Sequence, residues 1–172
     1  MATSMVTGGT SGIGREFVTQ LAARGDDIVI VARDTERMAT IKADVEARYG
    51  VSVETIEADL SQREDVDRIA ARLEDPAHHV DLLVNNAGFA VHAKILDPDA
   101  LELQDRAFEV MIRAVLVLSA AAGRAMKSRG HGAILNVSSS SAWINTGNYS
   151  AVKAWVLTFT EGLANELAGT GV

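Results

Sequence analysis

Thr7-Gly8-Gly9-Thr10-Ser11-Gly12-Ile13-Gly14, which follows the short run Ser4-Met5-Val6, is the stretch on which the fold turns. A strand that ends in spaced glycines and leads at once into a helical pattern needs a sharp turn that carries backbone N–H groups to the helix N-terminus. Glycine supplies both the backbone angles and the close approach. The helix end then offers a site for an anionic group such as a diphosphate. The spacing Gly8, Gly12, Gly14 differs from the commoner G-x-G-x-x-G, so by itself the stretch also fits a purely structural turn.

Outward from this turn, short apolar runs alternate with longer helical patterns. Strands are expected at Ser4 to Thr7, Ile28 to Val31, Val51 to Glu57, Leu82 to Asn85 and Ala133 to Val137. They are rich in Val, Ile and Leu, as strands covered on both faces should be. Helices are expected at Gly12 to Arg24, Thr35 to Tyr49, Gln62 to Leu73, Asp99 to Arg129 and Asn148 to Ala168, the fourth open to an early break. Gly25 and Gly50 read as C-caps, and Ser61 with Glu64 as a capping box. Strand-helix alternation with right-handed crossovers predicts an α/β, doubly wound parallel sheet of order 3-2-1-4-5. Ligands then belong at the carboxyl ends of the strands.

The 172 residues, 48% of them hydrophobic, suit one domain with a real core. A net charge of −7 and scattered Lys and Arg leave no basic face for nucleic acid or anionic lipid. Cysteine is absent, which excludes disulfides and thiolate metal sites and is compatible with a cytoplasmic location. The N-terminus carries no signal pattern. The most apolar run, Val110 to Ala122, is interrupted by Arg113 and is shorter than the roughly 20 residues a bilayer span takes. No membrane role is expected. His78, His79, His92 and His131 lack metal-ligand spacing, so no metal site is expected either.

The glycine stretch, Asp59-Leu60 after the third strand, Asn85-Asn86-Ala87-Gly88 after the fourth, Ser138-Ser139 after the fifth, and Tyr149-Ser150-Ala151-Val152-Lys153 occur in one order. Together they resemble the short-chain dehydrogenase/reductase family, over Thr7 to Lys153. The resemblance implies a Rossmann-like fold and a dinucleotide held by Gly8, Thr10, Ser11, Gly12, Ile13 and Gly14. It places Asp59 and Leu60 beside the adenine, with capping of the next helix as the competing role for Asp59. Asn86, Ala87 and Gly88 would line the ribose. Ala32 stands where the resemblance puts an NAD-selecting acid, and Arg33 follows it. A guanidinium there suits a 2′-phosphate, which favours NADP(H). Under the competing reading Arg33 is a solvated arginine paired with Asp34, and NAD(H) stays open.

Carbonyl reduction needs a proton donor and a group that polarises the carbonyl. Tyr149 fits the donor, and Lys153, one helical turn on, fits the cation that stabilises its phenolate. By the resemblance, the lysine also holds the nicotinamide ribose. Alignment of Gly132 to Ser139 with the family pattern GxIxxxSS points to Ser139 as the donor to the substrate oxygen, with Ser138 as the fallback. The expected activity is interconversion of a ketone or aldehyde and an alcohol.

Two departures bear on that expectation. Many family members carry asparagine where this chain has Met111, and a thioether cannot replace an amide's donor and acceptor. Family members also continue into further strands and a lid, so the chain reads as one dinucleotide-binding oxidoreductase domain, 1–172, incomplete at its C-terminus. Both departures motivate an alternative, a catalytically impaired dinucleotide-binding or scaffold member of the same fold. Phe89, Val91, Ile95, Trp143 and Ile144 follow strand ends and read as pocket or core residues. Apolar stripes through Val115 to Leu118 and through Trp155, Phe159 and Leu163 predict a homodimer or homotetramer.

Overall fold

The computed structural model describes residues 2–91 and 93–172, so the expectation for His92 lies outside the described residues. Five strands, β1 (Thr3–Thr7), β2 (Asp27–Ala32), β3 (Val53–Glu57), β4 (Leu82–Asn85) and β5 (Ala133–Asn136), form one sheet. Its order is β3-β2-β1-β4-β5 and every pairing is parallel. Helices α1 (Gly12–Ala23), α2 (Thr35–Tyr49), α3 (Arg63–Glu74), α4 (Ala100–Phe108) and α5 (Ala114–Arg129) supply the crossovers, and α6 (Asn148–Leu167) follows β5. The expected doubly wound sheet is the observed one.

Strand alternation divides the core. Met5, Val29, Val31 and Leu83 face α3 and α5, where Val66, Ile69, Leu73, Leu118 and Ala122 close one core. Val6, Ile28, Ile30 and Val84 point the other way, onto Val18 and Leu21 of α1 and Met38, Ile41 and Val45 of α2. Consecutive residues thus feed opposite layers, which explains why these strands read as unbroken apolar runs. Ile69 and Leu118 are fully buried, and each such side chain contributes about 1.5–3 kcal/mol of transfer free energy.

Local departures from expectation have identifiable causes. Gly50 caps α2 in the left-handed region, and Gly25 follows the end of α1, both as expected. The Ser61–Glu64 capping box does not form. Asp59 Oδ1 accepts the Ser61 N–H at 3.0 Å and its hydroxyl at 2.8 Å, so the serine is spent on an Asx turn. Gln62 becomes the N-cap of α3, without a side-chain cap bond. Helix four is interrupted within its length: a π-helical turn, Glu109–Arg113, joins α4 to α5 and contains Met111.

Candidate active site

The glycine turn sits at the carboxyl end of β1, where the sheet order reverses. Gly8 and Gly12 have φ of 69° and 50°, in the left-handed region that favours glycine. Gly14 is needed for another reason. A Cβ there would lie 2.2 Å from the Gly8 carbonyl oxygen and 2.4 Å from Asn86 Nδ2. The turn is tied to the loop after β4: Thr7 Oγ1 accepts the N–H groups of Asn86 and Ala87, each at 3.0 Å. Asn86 Nδ2 in turn donates to the Thr7 carbonyl at 3.0 Å. At the start of α1, Ser11 makes no side-chain cap bond and the first turn holds no acid. The first N–H groups of α1 are therefore open to an anion.

These elements line one cleft of about 1110 Å³. Gly8, Thr10, Ser11, Gly12 and Ile13 form its floor, and Arg33, Asp34 and Arg37 one end. Asp59, Leu60, Asn86, Ala87 and Gly88 continue it to Ser138, Ser139, Tyr149 and Lys153. Of the residues the sequence singles out for a dinucleotide, Gly14 alone is not on the wall; it is buried behind the turn.

At the end with the basic residues, Asp34 accepts the Arg37 N–H at 2.9 Å and caps α2. Arg33 Nη1 instead lies 3.9 Å from Asp59 Oδ2, and Arg106 Nη2 approaches the same oxygen at 3.8 Å. Burial pushes the Asp59 carboxyl up, but the Ser61 hydrogen bonds and the two guanidiniums outweigh it and hold it below its ordinary value. Asp59 therefore shapes the turn before α3 with one oxygen and presents the other to the cleft.

At the other end, Lys153 is 6% exposed, and burial pushes its ammonium below the usual lysine range. Its Nζ donates to the Val137 carbonyl at 2.9 Å and lies 5.8 Å from the centre of the Tyr149 ring. The Ser138 hydroxyl donates to the Lys153 backbone carbonyl at 2.7 Å, which commits it to holding α6. The Ser139 oxygen accepts the Ser141 N–H at 3.1 Å, which leaves its own proton free to donate. Beside Tyr149, the Asn148 amide donates to Gln104 Oε1 at 2.7 Å, and Gln104 Nε2 donates to the Ala93 carbonyl at 3.3 Å.

Next to Val137, at the end of β5, lies a polar knot. Asn136 Oδ1 accepts from Asn85 Nδ2 at 2.9 Å and from Ser119 Oγ at 3.2 Å, while its Nδ2 donates to Thr160 Oγ1 at 3.0 Å. It joins β4, α5, β5 and α6. Met111 is fully buried, with its sulfur 3.1 Å from where a Cβ on Gly88 would stand. The thioether fills the space below that loop.

Arg37, Leu103, Arg106 and Val110 also line the cleft, unannounced by any motif. Leu103, Arg106 and Val110 are spaced i, i+3, i+7, so their shared helix face was the available signal. Among Phe89, Val91, Ile95, Trp143 and Ile144, only Phe89 lines the cleft, and Trp143 is 74% exposed. His78 pairs with Asp75 and His131 with Asp81, both on the surface. Among the described residues, no group of three or more His, Cys, Asp or Glu is placed to hold a metal ion, and no helix is long and apolar enough to cross a membrane.

Residues 2–172 match the family described as short chain dehydrogenase. The chain belongs to the short-chain dehydrogenase family. Among its relatives in that family, a short chain dehydrogenase of Pseudocercospora fijiensis is 36% identical over 99% of this chain and 56% of its own length. The very-long-chain 3-oxoacyl-CoA reductase of Anas platyrhynchos is 34% identical over 99% of this chain and 56% of its own. A short-chain dehydrogenase from Sphingobium yanoikuyae, solved in complex with NADPH, superposes with a TM-score of 0.94 at 34% identity, covering 99% of this chain and 67% of that one. The chain thus spans little more than half the length of the first two relatives.

Proposed function

We propose that this short-chain dehydrogenase is an NADP(H)-dependent oxidoreductase that interconverts a ketone or aldehyde and an alcohol. The observation that carries the reading is the single cleft that runs from the glycine turn, past Arg33 and Asp59, to Ser139, Tyr149 and Lys153. The uncapped, acid-free start of α1 fits a diphosphate. Arg33 and Arg37 at the same end fit a 2′-phosphate. The NADPH in the Sphingobium relative and the 3-oxoacyl reductase activity named for the Anas relative agree with this reading.

When bound, the nicotinamide donates or takes up the hydride. Tyr149 donates the proton to the oxygen that becomes negative, and recovers it in the reverse direction. Lys153, held one helical turn away and pinned by the Val137 carbonyl, stabilises the phenolate. Ser139 donates its free hydroxyl proton to the substrate oxygen and polarises the carbonyl. The Ser138 hydroxyl donates to the Lys153 carbonyl, which supports Ser139 over it in that role.

The test is Tyr149→Phe, assayed as carbonyl-dependent NADPH oxidation. Loss of a positioned general acid should cost about 10²- to 10⁴-fold in rate with NADPH binding retained; an unchanged rate rejects Tyr149 as the donor. A second reading rests on Met111, which places a buried thioether where many family members have an amide. Under it the chain binds NADPH but oxidises it with no carbonyl across a broad panel. Apolar surface on α5 and α6, including exposed Leu116 and the Trp155–Phe159 stack at 4.8 Å, supports assembly into a homodimer or homotetramer.

A further inference from the structure

We propose that Arg106 sets the preference for a 2′-phosphate without touching it, by holding Asp59 so that Arg33 is released to the ligand. The inference rests on the NADP(H) reading above and adds a residue to it. Asp59 Oδ1 is occupied by Ser61, so Oδ2 is the oxygen that faces the cleft. Two guanidiniums from different elements compete for it: Arg33, just past the end of β2, at 3.9 Å, and Arg106, from α4, at 3.8 Å.

A 2′-phosphate that draws Arg33 away leaves the Asp59 carboxylate behind, a like charge a few ångströms from the incoming dianion. With Arg106 present, the carboxylate keeps a partner and its field is largely cancelled. Arg106 has an anchor of its own, since its guanidinium lies 5.9 Å from the centre of the Phe89 ring. It therefore stays on the cleft wall when Arg33 moves. The depressed Asp59 carboxyl is consistent with this double pairing. Both arginines are substantially exposed, at 65% and 44%, so solvent limits the effect to about two- to fivefold in an equilibrium constant.

The experiment measures calorimetric dissociation constants of adenosine 2′,5′-bisphosphate and 5′-AMP for wild type, Arg106→Gln and Asp59→Asn/Arg106→Gln, with melting curves to confirm folding. Arg106→Gln should weaken the bisphosphate two- to fivefold more than 5′-AMP, and adding Asp59→Asn should restore the preference. Equal weakening of both ligands, or no weakening, overturns the inference while leaving the NADP(H) reading intact. A preference that stays lost in the double variant overturns it too, because Arg106 would then meet the phosphate directly. If wild type itself shows no preference for the bisphosphate, the NADP(H) reading fails and the role of Arg106 falls with it.

Discussion

Asn136→Leu isolates what the polar knot contributes to the site next to it. Leucine keeps the approximate volume and removes three hydrogen bonds, to Asn85, Ser119 and Thr160. Bonds of this kind are worth about 0.5–1.5 kcal/mol each, so the loss is roughly 1.5–4.5 kcal/mol. Two facts decide where in that range it falls. Asn85 and Ser119 are 4% and 0% exposed, so they cannot turn to water, which favours the upper half. Asn85 Nδ2 still reaches Ser119 Oγ at 3.1 Å, and the added apolar surface of a half-buried leucine offsets about 1 kcal/mol. The net expectation is about 2–4 kcal/mol, or roughly 5–15 °C in melting temperature for a chain of this size. Circular-dichroism melts of the variant, of Ser119→Ala and of the double variant test it. The double should lose clearly less than the sum, because both changes break the same bond. A variant that melts within about 1 °C of wild type, or strict additivity, would refute the view that these side chains act as a unit.

Other expectations follow from the same geometry. Gly14→Ala forces a methyl against a backbone carbonyl that no rotamer change can clear; it should cost about 1–3 kcal/mol or more. Gly12→Ala has nothing within 4 Å and should lose about 1–2 kcal/mol from its positive φ. Its larger effect should fall on NADPH affinity, and equal melting losses with equal affinity losses would contradict the distinction. For Asp26, burial works to raise the carboxyl, but the hydrogen bonds from Arg24 and Ser4 outweigh it and the folded value is lowered. A depressed folded value gives stability that is present above the unfolded carboxylate range, near 3.9, and lost as pH falls through the folded value. The melting-temperature gap between wild type and Asp26→Asn should therefore be full at neutral pH and close below about pH 4; widening on acidification would be the wrong sign. Gln104→Leu removes the support beneath Asn148 and should lower kcat about tenfold with NADPH affinity unchanged. Gln104→Glu, which keeps the acceptor, should recover much of the loss, whereas an equal fall in kcat and affinity would point to a general structural role.

Much of this was readable because it is local. The glycine pattern of the β1 turn, the glycine caps and the unbroken apolar runs of the strands are each written in residues within a few positions of one another, and the observed strands begin or end within two residues of those expected. The capping box failed through competition that the local pattern does not reveal. A carboxylate two residues before Ser61 took its hydroxyl, and Asp65 took the Asp59 N–H. The π-turn was equally hidden, since no residue type encodes it; it accompanies the seating of Met111 under Gly88. Arg106 carries no local signal, because its partner Asp59 lies 47 positions away, after β3, and only the fold brings the two together.

The bonds between Thr7 and Asn86 span 79 positions of sequence. A long loop must close before any of them forms, and such non-local contacts come at an entropic cost in folding. The glycine turn is therefore not a portable module that works wherever its eight residues are placed. The turn leaves the ribosome well before β4 does, yet it takes its folded shape only once β4 has joined β1.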